Sequence, residues 1–207
     1  MTRREECRLH WPRTVVILAA MLLIGFSAFG YPKPAAVPYR WELTFEAGDL
    51  RMYRDAATGA RYWYFTYTVT NRTGKDQLWA PSFVLFTDTG DVLQAGRNVP
   101  NNVSEDILKM LKNQFLEDQN QIIGELLQGK ENAKEGVVVW PATNLEVNEI
   151  SMFVAGISGE TARVKSPVTG GEVILRKTLQ RNYLVRGDAG QRGSEPVELV
   201  DETWILR

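Results

Sequence analysis

The stretch from Arg61 to Asn71, RYWYFTYTVTN, restricts the fold most, because two kinds of side chain alternate along it without a break. A period of two is typical of a β-strand whose two faces meet different surroundings. One set is large and mostly apolar, as a core requires: Trp63, Phe65, Tyr67 and Val69. The other set carries hydroxyl groups: Tyr62, Tyr64, Thr66, Thr68 and Thr70. We predict that the first set faces the core; the second has the hydroxyls expected of a face that meets water or a partner, but the sequence leaves its surroundings undecided.

Strand-like segments recur along the rest of the chain, at residues 41–46, 80–93, 136–140, 145–156, 171–185 and 199–207. Turn residues separate them, as in the segment 55–60, DAATGA, where Gly59 can take a positive φ. Many short strands with turns between them predict a mostly β protein. We predict an antiparallel β-sandwich, with an Ig-like Greek key as the favoured version.

The pattern changes to a helical period between residues 103 and 128. Ser104 is a suitable N-cap and Gly129 a suitable stop, so we predict an inserted amphipathic helical segment over 103–128, bent or split near Gly124. Its apolar stripe is formed by Leu108, Leu111, Phe115, Ile122 and Leu126. Such a stripe usually packs on its own sheet. The alternative is an exposed surface for a homodimer or another protein.

The first thirty residues differ in kind from the rest. Four arginines precede an apolar run at 15–26, and this run ends in Ser-Ala-Phe-Gly. That order is typical of a secretory signal peptide, so we predict cleavage after Gly30 and export to the periplasm, cell surface or medium. An uncleaved N-terminal membrane anchor is the alternative, and the only membrane contact expected. Residues 31–38 then form a Pro-rich leader, and residues 39–207 a single domain.

Cleavage would remove His10 and Cys7, which are the only histidine and the only cysteine. The mature chain could then use no cysteine nucleophile, histidine base or imidazole-bound metal. Carboxylate chemistry, lysine chemistry and oxygen-ligand metals remain, but no spacing indicates a metal or cofactor site. The mature net charge of −3, from 20 basic and 23 acidic residues with mixed signs, argues against nucleic acid as a partner.

One motif resembles a catalytic site. Asp88-Thr89-Gly90 follows an apolar stretch, as the catalytic aspartate does in aspartic proteases. Such enzymes need two aspartates that share one proton, and the sequence holds no second motif of this kind. A hairpin turn selects Asp, Thr and Gly for backbone reasons alone, and we therefore interpret 88–90 as a turn.

The hydroxyl face of the opening stretch offers a binding hypothesis. Tyr62 and Tyr64, extended by Thr66 and Thr68, could stack on sugar rings and hydrogen-bond to them, as in a carbohydrate-binding module. Ordinary cross-strand packing is the simpler interpretation, because tyrosine and threonine favour strands.

The segments YWYFTYTVTNRTG, VVVWPA, LRKTLQRNYLV and ETWILR are similar to uncharacterised exported bacterial proteins of β-sandwich, Ig-like type. The resemblance spans most of residues 39–207 and implies a fold, but it brings no catalytic residues.

The sequence therefore predicts an exported, non-enzymatic structural or protein-interaction domain that acts without a cofactor. The alternative from another class is a carbohydrate-binding module that holds a polysaccharide, and an aspartic-protease-like hydrolase comes third.

Overall fold

A computed structural model describes residues 31–207. The predicted signal peptide, residues 1–30, lies outside this range. The chain is mostly β, as predicted, and forms several antiparallel sheets. In chain order the strands are β1 (Thr44–Arg54), β2 (Arg61–Asn71), β3 (Gln77–Trp79), β4 (Ser82–Thr87), β5 (Val92–Gln94), β6 (Leu116–Asp118), β7 (Gly124–Leu126), β8 (Gly129–Pro141), β9 (Glu149–Ala155), β10 (Thr161–Lys165), β11 (Glu172–Leu184) and β12 (Glu198–Leu206). Helix α1 (Asn101–Leu111) follows β5, and a 3-10 turn (Ala189–Gln191) precedes β12.

The first sheet has the order β1-β2-β8-β6, in which only β6 runs parallel to its neighbour. Its central strand, β2, is the alternating stretch that opens the sequence analysis. The turn between β1 and β2 is the predicted one. Asp55 accepts a hydrogen bond from the Ala57 backbone N–H at 3.0 Å, and Gly59 takes the positive φ of 74° that the turn needs.

The second sheet has the order β12-β11-β9-β4-β5. The long strand β11 pairs with β9 along its second half and with β10 along its first half, so that β9 and β10 follow one another beside it. A short ribbon of β3 and β7 forms a third sheet. Strands β1 and β12 are therefore edge strands of two different sheets.

One main hydrophobic cluster takes side chains from both large sheets. From β2 come Trp63, Phe65, Tyr67 and Val69, none of which is more than 3% exposed. The second sheet supplies Leu85 from β4 and Met152 from β9. The prediction that this alternate set of β2 faces the core is thus confirmed, because burial of large apolar area against the facing sheet fixes which face points inward.

The hydroxyl face of β2 does not meet water at its two tyrosines. Tyr62 is 7% exposed and Tyr64 only 3%, because α1 covers this face of the sheet. A second, smaller cluster joins these two tyrosines to Val103, Ile107, Val137 and Val139. The tyrosine rings bury a large apolar area against the apolar face of the helix. The free energy of this burial outweighs the preference of the phenol groups for water.

The predicted helical segment over 103–128 is also wrong in extent. Helix α1 ends at Leu111, where Lys112 takes the left-handed conformation with φ 50°. The rest of the predicted segment contains the short strands β6 and β7 instead. Apolar residues in these short strands and turns have a helical spacing by coincidence. The segment forms strands because β6 pairs with β8 and β7 pairs with β3.

The predicted partner stripe is not one surface. Leu108 and Leu111 pack on the smaller cluster beneath α1. Ile122 and Leu126 are fully buried in the main core. Phe115 alone is well exposed, at 67%. Within residues 31–207, no helix has the length and apolar character needed to cross a membrane.

Candidate functional site

An open groove of about 710 Å³ lies where the edges of the two large sheets come near each other. Residues 38–45 form one wall, β12 forms the other, and the turn at Arg72 and Thr73 closes one side. We call it the Trp41–Trp204 groove, after the two half-buried indoles that line it. Its rim also carries Tyr39, which is 61% exposed.

The wall with Trp41 is held by backbone pairing. The Gly159 N–H donates to the Trp41 carbonyl at 2.9 Å, and the Leu43 N–H donates to the Ile157 carbonyl at 2.9 Å. Gly159 is needed here for space, since a Cβ atom at this position would lie 2.3 Å from the Trp41 Nε1 atom. The segment before β1 is therefore paired with the connection between β9 and β10, and the Trp41 indole packs directly against Gly159.

A buried ion cluster supports the same wall from behind. Lys177 on β11 is 2% exposed, and its Nζ lies 2.8 Å from Glu42 Oε2 and 3.5 Å from Glu160 Oε2. The same ammonium lies 4.7 Å from the centre of the Trp204 ring, within the range of a cation–π contact. Glu160 also accepts a hydrogen bond from the Ala35 N–H at 2.8 Å. One cation thus joins both indole-bearing walls of the groove.

A second buried cation supports β12. Arg181 is 7% exposed and forms an ion pair with Glu202, which stands directly opposite it across the strands. Its Nε donates to the Tyr183 hydroxyl at 2.8 Å. Burial raises the pKa of Tyr183 to about 12, although the positive charge of Arg181 lowers it in part. The tyrosine is therefore a neutral acceptor for Arg181 at physiological pH.

The charges that line the groove differ in what they pair with. Its carboxylates, Glu42 and Glu202, are matched by Lys177 and Arg181 behind the wall. Its two guanidinium groups, Arg40 and Arg72, form no ion pair within residues 31–207. A ligand in the groove would therefore meet aromatic side chains and two cations that have no ion-pair partner in the described part of the chain.

The residues proposed from sequence lie elsewhere. Tyr62 and Tyr64 are buried beneath α1 and offer no platform for a sugar. Thr66 and Thr68 line a separate cavity of about 410 Å³, together with Leu111. Sequence reasoning missed the Trp41–Trp204 groove because its two indoles are 163 positions apart and each has the spacing of an ordinary strand residue.

Asp88 lies in the turn after β4, as its sequence context predicts. Its carboxylate accepts hydrogen bonds from the Asn148 backbone N–H at 3.1 Å and from the Asn148 side-chain amide at 3.2 Å. Partial desolvation opposes ionisation, but these hydrogen bonds outweigh it, and the pKa of Asp88 lies below its ordinary value. These hydrogen bonds tie the turn after β4 to the segment that precedes β9.

We expect replacement of Asp88 by asparagine to destabilise the fold at neutral pH and to do so less in acid. Because the folded pKa is depressed, ionised Asp88 contributes stability above its unfolded pKa of about 3.9, and the contribution is lost as pH falls through the folded value. Urea unfolding of both proteins at about pH 7 and about pH 2.5 measures this. Asp91→Asn in the same turn is the matched control, and an equal loss at both pH values would contradict the assignment.

Within the part of the chain that the structure describes, no group of three or more acidic, histidine or cysteine side chains is arranged to hold a metal ion. Comparison with known proteins adds no relative: no family model matches the chain, and no curated protein or solved structure matches it significantly.

Proposed function

We propose that this protein is an exported, non-enzymatic interaction module, and that it binds its partner in the Trp41–Trp204 groove. The observation that carries the proposal is the lining of the groove, which includes two indoles and two arginines that form no ion pair within residues 31–207. Aromatic and arginine side chains are the types that contribute most to binding at protein interfaces. A groove whose walls are held by buried ion pairs is preorganised, which reduces the entropy lost on binding.

The fold we propose is an antiparallel β-sandwich of Ig-like type. Two large sheets that share one hydrophobic core support it. In such a fold the lateral gap between the edge strands is open to solvent. The groove lies at this gap, so that binding there would leave the core undisturbed.

A polysaccharide is the second candidate ligand, because Tyr39, Trp41 and Trp204 present aromatic surface along one groove. Stacking of sugar rings needs such faces with polar groups beside them, and Thr44 and Thr73 supply hydroxyls. A sugar would then be bound by the aromatic residues of the groove and not by the buried tyrosines of β2.

A groove-filling variant tests the proposal. The purified protein is screened against insoluble polysaccharides, cell-wall preparations and peptide libraries, and then Thr44→Trp and Val92→Trp are compared on whatever is retained. Thr44 lies in the groove, whereas Val92 is an exposed residue, 62% accessible, on the opposite edge strand β5. We expect Thr44→Trp to weaken binding about tenfold or more and Val92→Trp to leave it unchanged. Equal binding by both variants would refute the groove as the site.

A further inference from the structure

We propose that the occupant of the Trp41–Trp204 groove is an extended polypeptide segment with acidic side chains, which adds as a strand to the free edge of β12. The inference rests on the proposed function and names the class of its partner. It is carried by two independent observations, namely the hydrogen-bonding groups of the β12 edge and the charges beside them.

The pairing of β12 with β11 shows which backbone groups are free. Arg176 and Arg207 exchange two backbone hydrogen bonds, at 2.7 and 3.0 Å, and therefore form a hydrogen-bonded pair. In an antiparallel ladder such pairs alternate with pairs whose N–H and C=O groups point outward. In the register of β12, the residues of the second kind are Glu202, Trp204 and Leu206. No other strand within residues 31–207 pairs with this edge.

The outward groups occupy a short, defined stretch. A bulge at Val200 interrupts the register on one side. The three residues have one outward N–H and one outward C=O each, so they offer six hydrogen-bonding groups to an added strand. Edge strands are usually protected by charge, proline or a covering loop. Here the stretch 204–206 is Trp-Ile-Leu, and the nearest carboxylate, Glu202, is already paired with Arg181. This part of the edge therefore lacks the usual protection.

The charges of the groove select the kind of strand. Side chains of an added strand alternate between its two faces, so every second one would point into the groove. There it would meet Arg40 and Arg72, which have no carboxylate partner within the described residues. An acidic side chain would supply the missing charge, whereas a basic one would add to two cations. The geometry thus favours aspartate or glutamate at alternate positions.

A backbone-specific variant tests strand addition. Glu202→Pro removes one outward N–H without breaking a bond to β11, since proline is tolerated on the open side of an edge strand. Glu202→Ala is the matched control, because it removes the same ion pair with Arg181 but keeps the N–H. The probe is a library of eight-residue β-forming peptides with Asp or Glu at alternate positions. We expect peptides from it to bind the Ala variant about tenfold or more tightly than the Pro variant.

A second comparison tests the charge. An otherwise identical library with Asn or Gln at the alternate positions should bind about tenfold more weakly than the acidic one. The double variant Arg40→Gln, Arg72→Gln should remove this difference while it keeps the sensitivity to Glu202→Pro. N-methylation of alternate backbone amides in a bound peptide should abolish binding, because it removes the donors of a strand.

Three results would overturn the inference. The first is that no peptide distinguishes Glu202→Pro from Glu202→Ala. The second is a polysaccharide that is lost in Thr44→Trp but retained equally by the two Glu202 variants, which would uphold the groove and replace its occupant. The third is a concentration-dependent dimer, seen in sedimentation and lost in Glu202→Pro, which would assign this edge to a second copy of the chain. If Thr44→Trp changes nothing, the proposed function itself fails.

Discussion

Replacement of Lys177 by methionine is expected to lower the free energy of unfolding by about 3–5 kcal/mol, although the side-chain volume is nearly conserved. The ammonium lies between Glu42 and Glu160, and the side chain of Glu160 is only 5% exposed. Methionine would leave two carboxylates close together without their cation, one of them inside the protein. A buried, uncompensated charge costs more than the original ion pair contributes. Urea denaturation at neutral pH measures the loss.

The control is a second substitution that removes one of the two carboxylate charges left without a cation. Glu160→Gln in the Lys177→Met background should restore part of the stability, because the amide still accepts from the Ala35 N–H and carries no charge. Full additivity of the two single changes would show that the cluster is not coupled. A loss below about 1 kcal/mol in the single variant would mean that Lys177 is solvated, against its burial here.

Truncation of Trp140 to alanine is expected to cost about 3–5 kcal/mol. Trp140 on β8 is fully buried in the main core and is paired with Trp63 on the neighbouring strand β2. Removing the indole would leave a cavity that neighbours held in two paired strands cannot fill, and the cost grows with the volume left empty. The same urea experiment, with the denaturant slope compared between variants, measures the change.

Trp140→Phe separates cavity formation from the polar atom. The Trp140 Nε1 has no hydrogen-bond partner among residues 31–207, so phenylalanine removes an unsatisfied donor as well as part of the volume. We therefore expect the phenylalanine variant to lose well under half of what the alanine variant loses. Equal losses would indicate that the indole N–H makes a contact with bound water and that the cavity is the smaller effect.

The sequence predicts the strands and their inward face well, and the reason is visible in β2. Trp63, Phe65 and Tyr67 occupy every second position. Such a period of two is typical of a strand and is not produced by a helix. The turn at 55–60 is equally local, since it depends on Asp55 and Gly59 alone. Features set by neighbouring residues are within reach of sequence reasoning.

Features set by distant residues are not. The outer face of β2 carries hydroxyls, which are typical of contact with water or a partner, but α1, which comes later in the chain, buries Tyr62 and Tyr64. Ile122 has the spacing of a helical stripe, yet it lies in the turn between β6 and β7 and is buried in the main core. The Trp41–Trp204 groove joins the two ends of the domain, and no local pattern indicates that they meet.

The layer formed by α1 has a consequence for how the protein opens. Its cluster is far smaller than the main core, so α1 is expected to detach at a lower free energy than the sheets come apart. Detachment would uncover the apolar surface formed by Tyr62 and Tyr64 on β2 and by Val137 and Val139 on β8. A partly open state of this kind is prone to aggregate through its exposed apolar surface, although the rest of the molecule stays native. Long-term solubility would then depend on the docking of one three-turn helix more than on global stability.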